Sequence, residues 1–497
     1  MVGFWLFFWS LMLKRLASQT ATYGLTSILG RLIGNLLLPL QTAQLSLRDF
    51  SVLSEVLAYA AVLSILFPLG LETALFRFSN DSAEDKAKTE TRIISFQILA
   101  AFFLMPISYG FLHLRMENLL AEDAWMVSAT LAGDAILGIF LARLRNHNAS
   151  FPFFRVRLGG IFITILLNLL FLSDIPFFDQ INPFGINYRL ILGINFASSL
   201  LSFLLMPKSL AGFRWSFDLD INRRILRFSI PIVVMGLVGV VNDIFGRIWL
   251  EQLCPKGFYP GISNDDLIGI YSGCAKIAIF INLGIQAYRY AADPFFFSIQ
   301  DRKDTADYLA KSFTWFVAAG LLAWVGIVGN LPFILQLFLR KPEFALGTDA
   351  IFILLLANFL FGVYYNLSFW YKFTDQTWWG TLISVGGLAI NAGLNFLLVP
   401  RFGMTGAALS LLACYSCMCL VSWSKSHSFF KVAWEYSKVG GLFAFALALS
   451  FLSRIWRPDS GLLVQVGYGL IFPLLFLFLV AWMQSGVFKK REVHGSS

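Results

Sequence analysis

Residues 350–370 read AIFILLLANFLFGVYYNLSFW, a stretch of 21 residues without one charged side chain. The hydrocarbon layer of a bilayer is ~30 Å thick, and a helix that rises ~1.5 Å per residue needs about 20 apolar residues to cross it. A transmembrane β-barrel would instead show alternating strands of about 10 residues. This stretch therefore predicts a membrane-spanning α-helix.

Similar stretches recur throughout the 497 residues. Hydrophobic residues make up 58% of the chain and charged residues 13%, whereas soluble domains are about 45–50% apolar and about 25% charged. This composition excludes a soluble multidomain enzyme and a disordered chain. We predict an all-α polytopic membrane protein with about fourteen transmembrane helices, near residues 20–42, 50–74, 93–113, 124–144, 152–172, 188–206, 225–250, 267–290, 308–331, 350–370, 377–399, 404–424, 436–453 and 462–484.

The distribution of Lys and Arg predicts the orientation. If the amino terminus is cytoplasmic, 26 of the 38 basic residues fall in cytoplasmic connections, nine fall on the opposite side and three lie inside helices. Basic residues collect on the cytoplasmic side of membrane proteins. We therefore expect both termini in the cytoplasm, and the formal charge of +9 is a topology signal rather than a sign of nucleic-acid binding.

Two parts of the chain resemble each other. LNLLFL at residues 167–172 is followed by NPFG at 182–185, and LNFLLV at 394–399 is followed by PRFG at 400–403. Gly and Pro also interrupt the first and seventh predicted helices, a pattern that marks the binding site of many transporters. We predict two pseudo-symmetric six-helix lobes, at residues 1–206 and 225–425, joined by a cytoplasmic linker at 207–224. Two C-terminal helices and a cytoplasmic tail follow at 426–497.

Four segments carry a family resemblance. They are LKRLASQTATYGLTSILGRLIG (13–34), LGLETALFRF (69–78), IGIYSGCAKIA (268–278) and LNFLLVPRFGMTGAA (394–408). The chain resembles bacterial polysaccharide biosynthesis proteins of the O-antigen flippase type, which belong to the multidrug/oligosaccharidyl-lipid/polysaccharide exporter superfamily.

That resemblance implies a bacterial inner-membrane protein with two lobes around a central cavity. It implies that the chain flips a lipid-linked oligosaccharide by alternating access. Its expected partners are that lipid, the bilayer and other membrane proteins of glycan assembly. The lipid II flippases are close relatives within the superfamily, and the drug exporters are more distant ones.

Charged residues inside the predicted helices are the candidate site residues. Each costs ~2.5–3.5 kcal/mol at mid-bilayer, so six facing lipid would cost roughly 18 kcal/mol, more than the net stability of a typical fold. They must therefore pair or face water. The six are Arg31, Glu55, Asp134, Asp243, Arg247 and Lys276.

We predict that Arg31 and Lys276, one from each lobe, contact a pyrophosphate or sugar acid in one central cavity, with Arg247 as a further substrate contact. A structural ion pair is the alternative for Arg31 and Lys276. Asp243 and Arg247 are four residues apart on one helix, so they can also neutralise each other.

The predicted carboxylates have other roles. Glu55, Asp134 and Asp243 are candidates for ion coupling or ion pairing. Glu72 and Arg77, at the cytoplasmic end of the second helix, form a gate or a solvated helix end.

Three functions remain compatible with these residues. The first is a lipid-linked oligosaccharide flippase, and the second is an ion-coupled multidrug exporter that uses Asp134 or Glu55. The third, a membrane glycan polymerase or ligase, is disfavoured because the longest periplasmic connections, near 332–349 and 251–266, are too short to form a domain. The chain has no phosphate-binding loop and no metal-ligand spacing, so we expect neither an enzyme nor a cofactor.

Overall fold

The computed structural model describes residues 36–78, 86–116, 119–147, 149–173, 185–206, 215–299, 302–374, 376–455 and 461–493. These residues form helices and connections. The helices are α1 (Leu38–Gln44), α2 (Leu47–Leu66), α3 (Leu71–Phe78), α4 (Lys86–Arg115), α5 (Ala121–Asn146), α6 (Ser150–Leu172), α7 (Tyr188–Leu204), α8 (Leu219–Leu253), α9 (Asn264–Ser298), α10 (Thr305–Gly329), α11 (Leu331–Phe338), α12 (Thr348–Leu367), α13 (Phe369–Phe373), α14 (Trp378–Phe429), α15 (Tyr436–Ile455) and α16 (Leu462–Val493).

The helices confirm the predicted fold class. Eleven helical stretches of the described residues are long and apolar enough to cross a membrane. Of these, α14 consists of two helices that meet at Gly403, where φ is 55°, and the shorter apolar helix α7 matches the sixth predicted window. Most of the first window, 20–42, lies outside the described residues. The chain is a multi-pass all-α membrane protein.

The helices expose large apolar side chains, as lipid-facing surfaces do. Phe102, Leu114, Phe151 and Phe478 are each more than 70% exposed. The largest buried side chains include Trp324 and several phenylalanines. This arrangement suits a hydrocarbon solvent, in which an exposed Phe or Leu incurs no cost.

The second predicted helix is broken into α2 and α3. Pro68 lacks a backbone N–H, and the next two residues, Leu69 and Gly70, have φ values of 50° and 67°. The buried amide of Gln97 donates to the Phe67 carbonyl at 2.8 Å, which satisfies a backbone acceptor near the break. A Cβ at Gly70 would lie 3.2 Å from the Ser229 carbonyl oxygen on α8. The break therefore depends on neighbours from α4 and α8.

The chain forms two compact units, Met1–Ser272 and Gly273–Ser497, with the boundary inside α9. The division into six-helix lobes separated at residues 207–224 stays a prediction. In the first unit α5 packs on α4 and α7, α6 packs on α7, and α8 packs on α2 and α3. In the second unit α12 packs on α14, and α10 packs on α12, α15 and α16.

Ionic contacts in the first unit show that its helices alternate in direction. At one end Asp123, at the start of α5, accepts hydrogen bonds from Tyr188 Oη (3.1 Å) and Arg189 Nε (2.8 Å), at the start of α7. At the other end Arg92, near the start of α4, pairs with Asp218, just before α8, at 3.4 Å. This alternation agrees with the predicted series of spans.

Glu90 is the centre of a group of polar contacts at the end of the unit where Arg92 and Asp218 pair. Its side chain is fully buried and accepts hydrogen bonds from Arg143 Nε (3.1 Å) and Asn146 Nδ2 (2.7 Å). His147 Nε2 lies 2.8 Å from the same carboxylate. These contacts join the start of α4 to the end of α5.

We predict that Glu90→Ala lowers the free energy of unfolding by about 3 kcal/mol, because it leaves Arg143 without its buried partner. Glu122→Ala is the control. Its carboxylate is 80% exposed and pairs with Arg189, so its loss should cost at most about 1 kcal/mol. Thermal unfolding in detergent measures both variants, and equal melting temperatures would contradict this account of Glu90.

Candidate functional site

A cavity of about 490 Å³ lies within the first compact unit, among α2, α5, α6 and α7. Its apolar wall includes Leu57 and Leu131. Its charged lining residues are Asp134 on α5 and Arg157 on α6. Its other polar lining residues are Thr130, Thr164, Asn195, Ser198, Ser199 and Ser202.

Asp134 lies midway along α5 and is exposed to this cavity. Ser199 Oγ, on α7, donates a hydrogen bond of 2.7 Å to Asp134 Oδ1. Arg157 on α6 lines the same cavity. A carboxylate inside a membrane span needs such a hydroxyl, a cation or water. Ser199 supplies the hydroxyl directly, and Arg157 adds a cation to the lining of the same cavity.

The hydroxyl groups of α6 and α7 form a connected set. Thr164 Oγ1 and Ser198 Oγ are 2.5 Å apart, so one of these hydroxyls donates to the other. Both also lie within hydrogen-bond distance of the Gly160 carbonyl oxygen, at 3.0 and 3.3 Å, where the other hydroxyl can donate. A Cβ at Gly160 would lie 2.6 Å from Ser202 Oγ. The glycine therefore permits the close approach of the two helices that brings the hydroxyls together.

Glu72, one of the two predicted gate residues, lies on α3 beside the wall of this cavity. Its Oε2 is 3.6 Å from Arg145 Nη2, and a Cβ at Gly138 would lie 2.9 Å from its Oε1. Arg77 is exposed in the last turn of α3. Among the described residues, the arginine that Glu72 contacts is therefore Arg145 on α5. The gate stays a prediction.

Glu55 lies in an ionic cluster at the end of the first unit where α2 begins. Arg48 Nη1 and Asp265 Oδ2 are 2.5 Å apart, and Glu251 and Arg115 also act electrostatically on Glu55. Gly269 N donates to Ser51 Oγ at 3.0 Å and joins α9 to α2 beside this cluster. The charged residues around Glu55 are thus of both signs, and its role in ion coupling or ion pairing stays a prediction.

The predicted substrate cations have different environments. Arg247 is half-buried and lies 3.8 Å from Asp243 on the same helix, the local pair that the spacing allows. Lys276 is half-buried on α9 in the second unit. Arg31 lies outside the described residues, so its joint role with Lys276 stays a prediction.

Arg157, Arg145 and Ser199 are site residues that the sequence analysis missed. Arg157 counted as a basic residue of a cytoplasmic connection, although it lies inside the window 152–172. A basic residue more than one turn into an apolar window is a signal for a cavity-facing side chain. Within the described ranges, no group of three or more His, Cys, Asp or Glu residues is placed to hold a metal ion.

The chain shares its fold with solved structures of membrane transporters. The chain is similar to a solved structure of the lipid II flippase MurJ in an inward-closed conformation, with a TM-score of 0.68 and 16% identity over 94% of this chain and 99% of that chain. No family model matches the chain, and no curated protein does so either.

Two structures of multidrug resistance MATE family transporters share the fold over a smaller part of the chain. An inward-facing one has a TM-score of 0.62 and 13% identity over 80% of this chain and 94% of that chain. An outward-facing one has a TM-score of 0.54 and 12% identity over 83% of this chain and 96% of that chain. Both of these structures are of transporters of the MOP superfamily.

We predict that the cavity is filled with water in the membrane. In a variant whose five cysteines are replaced, Asp134→Cys and Thr130→Cys should react with a charged, water-soluble thiol reagent. Such a reagent reacts with the ionised thiol, which forms only where water reaches the side chain. Ala135→Cys is the matched control because Ala135 is buried. Mass spectrometry measures the modified fraction, and an unreactive Asp134→Cys protein would mean that Asp134 faces a dry interior.

Proposed function

We propose that this chain is a flippase that moves a polyprenyl-pyrophosphate-linked oligosaccharide from the cytoplasmic to the periplasmic leaflet of the bacterial inner membrane by alternating access. The observation that carries the proposal is the extent of the shared fold. The similarity to a lipid flippase covers 94% of this chain, whereas the two multidrug structures cover 80% and 83%. The four segments that resemble O-antigen flippases support the same substrate class.

The polar lining of the cavity in the first unit favours a glycan head group as the substrate. Its hydroxyls, the Asn195 amide, Asp134 and Arg157 form a mixed set of donors and acceptors over an otherwise apolar wall. Sugar hydroxyls both donate and accept hydrogen bonds, so they match such a lining better than a purely apolar drug does. A volume of about 490 Å³ suits part of a head group, and the lipid tail would stay in the bilayer.

An ion-coupled exporter is the second candidate, and Asp134 favours it. A carboxylate that faces a cavity inside a span is a typical proton or cation relay. The nearby Arg157 weighs against a cationic drug as the substrate, because like charges repel. A lipid II flippase is a third possibility, which differs from our proposal only in the head group carried.

We predict that deletion of the gene traps lipid-linked glycan in the cytoplasmic leaflet without stopping its synthesis. The measurement is the labelling of this glycan by a membrane-impermeant lectin, before and after permeabilisation of spheroplasts. Loss of the lipid-linked glycan itself would indicate an enzyme, and trapped lipid II would indicate the alternative flippase.

Complementation of the deletion tests the cavity. Arg157→Gln should lower surface glycan about tenfold or more, because a hydrogen bond from a charged group is worth ~1.5–3 kcal/mol. Arg155→Gln is the matched control, since Arg155 is exposed on the same helix and is not among the cavity-lining residues. Equal complementation by both variants, at equal protein abundance, would remove the cavity from the transport path.

A further inference from the structure

Two cations and one carboxylate surround the Tyr365 ring in the second compact unit. The Arg289 guanidinium lies 4.6 Å from the ring centroid and Lys372 Nζ lies 4.2 Å from it. Tyr365 Oη donates a hydrogen bond to Asp293, and Lys372 Nζ is 3.6 Å from Asp293 Oδ1. These four residues, which we call the Tyr365 cluster, carry two positive charges and one negative charge.

The cluster is open to ligands although its ring is buried. Tyr365 is 6% exposed, whereas Arg289 is exposed and the Asp293 side chain is 38% exposed. The negative face of an aromatic ring attracts cations, so the ring offsets part of the repulsion between Arg289 and Lys372. The surplus positive charge is thereby held in place, with Arg289 at the surface of the unit.

The depth of the cluster in the membrane matches the phosphate layer of the bilayer. Lys372 is the last residue but one of the apolar stretch Pro342–Phe373, and Arg289 lies at the end of the predicted span 267–290. The ends of apolar spans lie at the level of lipid head groups. In the predicted topology this end is cytoplasmic, the side on which lipid-linked glycans are made.

A row of hydrogen-bonded side chains supports the cluster from inside the unit. Tyr288 Oη donates to Asn366 Oδ1 at 2.6 Å and lies 2.9 Å from Ser312 Oγ. Deeper in the span, Asn282 Nδ2 donates to Asn358 Oδ1 at 2.6 Å. These pairs hold α9 against α12, so the cluster belongs to a fixed part of the second unit.

The geometry points to the Tyr365 cluster as a binding site for the phosphate groups of a lipid in the cytoplasmic leaflet, where the pyrophosphate of the transported lipid first docks. This assignment rests on the proposed function. Arg289 offers a planar fork of donors and Lys372 a compact charge, and both form strong charge-assisted hydrogen bonds with phosphate oxygens. Asp293 opposes the anion and keeps its binding reversible.

The test measures binding of two lipids to the purified full chain in nanodiscs. The probes are a polyprenyl pyrophosphate and phosphatidylglycerol, which carry the same chemistry from different sources. Arg289→Gln and Lys372→Gln should each weaken polyprenyl pyrophosphate binding roughly 10-fold or more and leave phosphatidylglycerol binding nearly unchanged.

Asp293→Asn should change the affinity for polyprenyl pyrophosphate in the opposite direction. The amide still accepts the Tyr365 hydrogen bond, but the negative charge is gone, so polyprenyl pyrophosphate should bind several-fold more tightly. A purely structural ion pair predicts no gain. Melting temperatures of all variants identify any protein that has lost its fold. Lys372→Arg should bind polyprenyl pyrophosphate better than Lys372→Gln does, because it keeps the positive charge.

Arg302→Gln is the matched control. Arg302 follows α9 and also lies over a tyrosine ring, that of Tyr308, at 5.8 Å, but Asp304 pairs with it at 2.7 Å. Hydrogen bonding from Arg302 lowers the pKa of Asp304, so this exposed pair stays neutral overall and its loss should not change binding.

Two outcomes would overturn the assignment. If Arg289→Gln and Lys372→Gln weaken the binding of both lipids equally, the cluster is a general contact with bilayer phosphates. If they leave the binding of both lipids unchanged, the cluster is not a phosphate site. If the unaltered protein binds no polyprenyl pyrophosphate at all, the proposed function fails instead.

Discussion

The cost of placing charge in hydrocarbon organises this structure. An unpaired charge at mid-bilayer costs several kcal/mol, so ionic groups in the first unit collect at helix ends, line a cavity or, like Asp243 and Arg247, pair along one helix. Glu90 and Asp123 are fully buried, and each accepts hydrogen bonds from an arginine and a second polar side chain. Because these contacts join starts and ends of neighbouring helices, they also fix the alternating directions of the spans.

The sequence was sufficient to predict the helices but not their breaks. Apolar windows mark spans because length and hydropathy alone determine whether a helix can cross a bilayer. The two predicted windows 377–399 and 404–424 meet at the place where α14 is divided, Gly403. The break at Pro68–Gly70 was missed, since it depends on Gln97 of α4 and on the backbone of α8, which periodicity along α2 cannot reveal.

The candidate site could be predicted only in part, for a related reason. Counting charges inside windows found Asp134, and spacing found the contact between Asp243 and Arg247. Arg157 was missed because a count of basic residues by side does not tell which face of a helix they occupy. The Tyr365 cluster was missed because its residues are distant in sequence, and only the packing of α9, α12 and α13 brings them together.

Each of the two units carries polar groups that suit an anionic, sugar-bearing lipid. The first has a cavity with hydroxyls and one arginine, and the second has two cations and one carboxylate around Tyr365. These features agree with a fold shared with a lipid flippase over nearly the whole chain. Neither feature provides a catalytic constellation, and the proposed activity requires none, because flipping changes no covalent bond.

The most direct test of the central claim is reconstitution of the purified chain into liposomes with a fluorescent polyprenyl-pyrophosphate glycan. A membrane-impermeant quencher then measures the fraction of label that reaches the outer leaflet. The account predicts that label from both leaflets is quenched when the protein is present, whereas protein-free vesicles lose only the outer-leaflet signal. Identical quenching with and without the protein, in vesicles shown to contain folded chain, would contradict it.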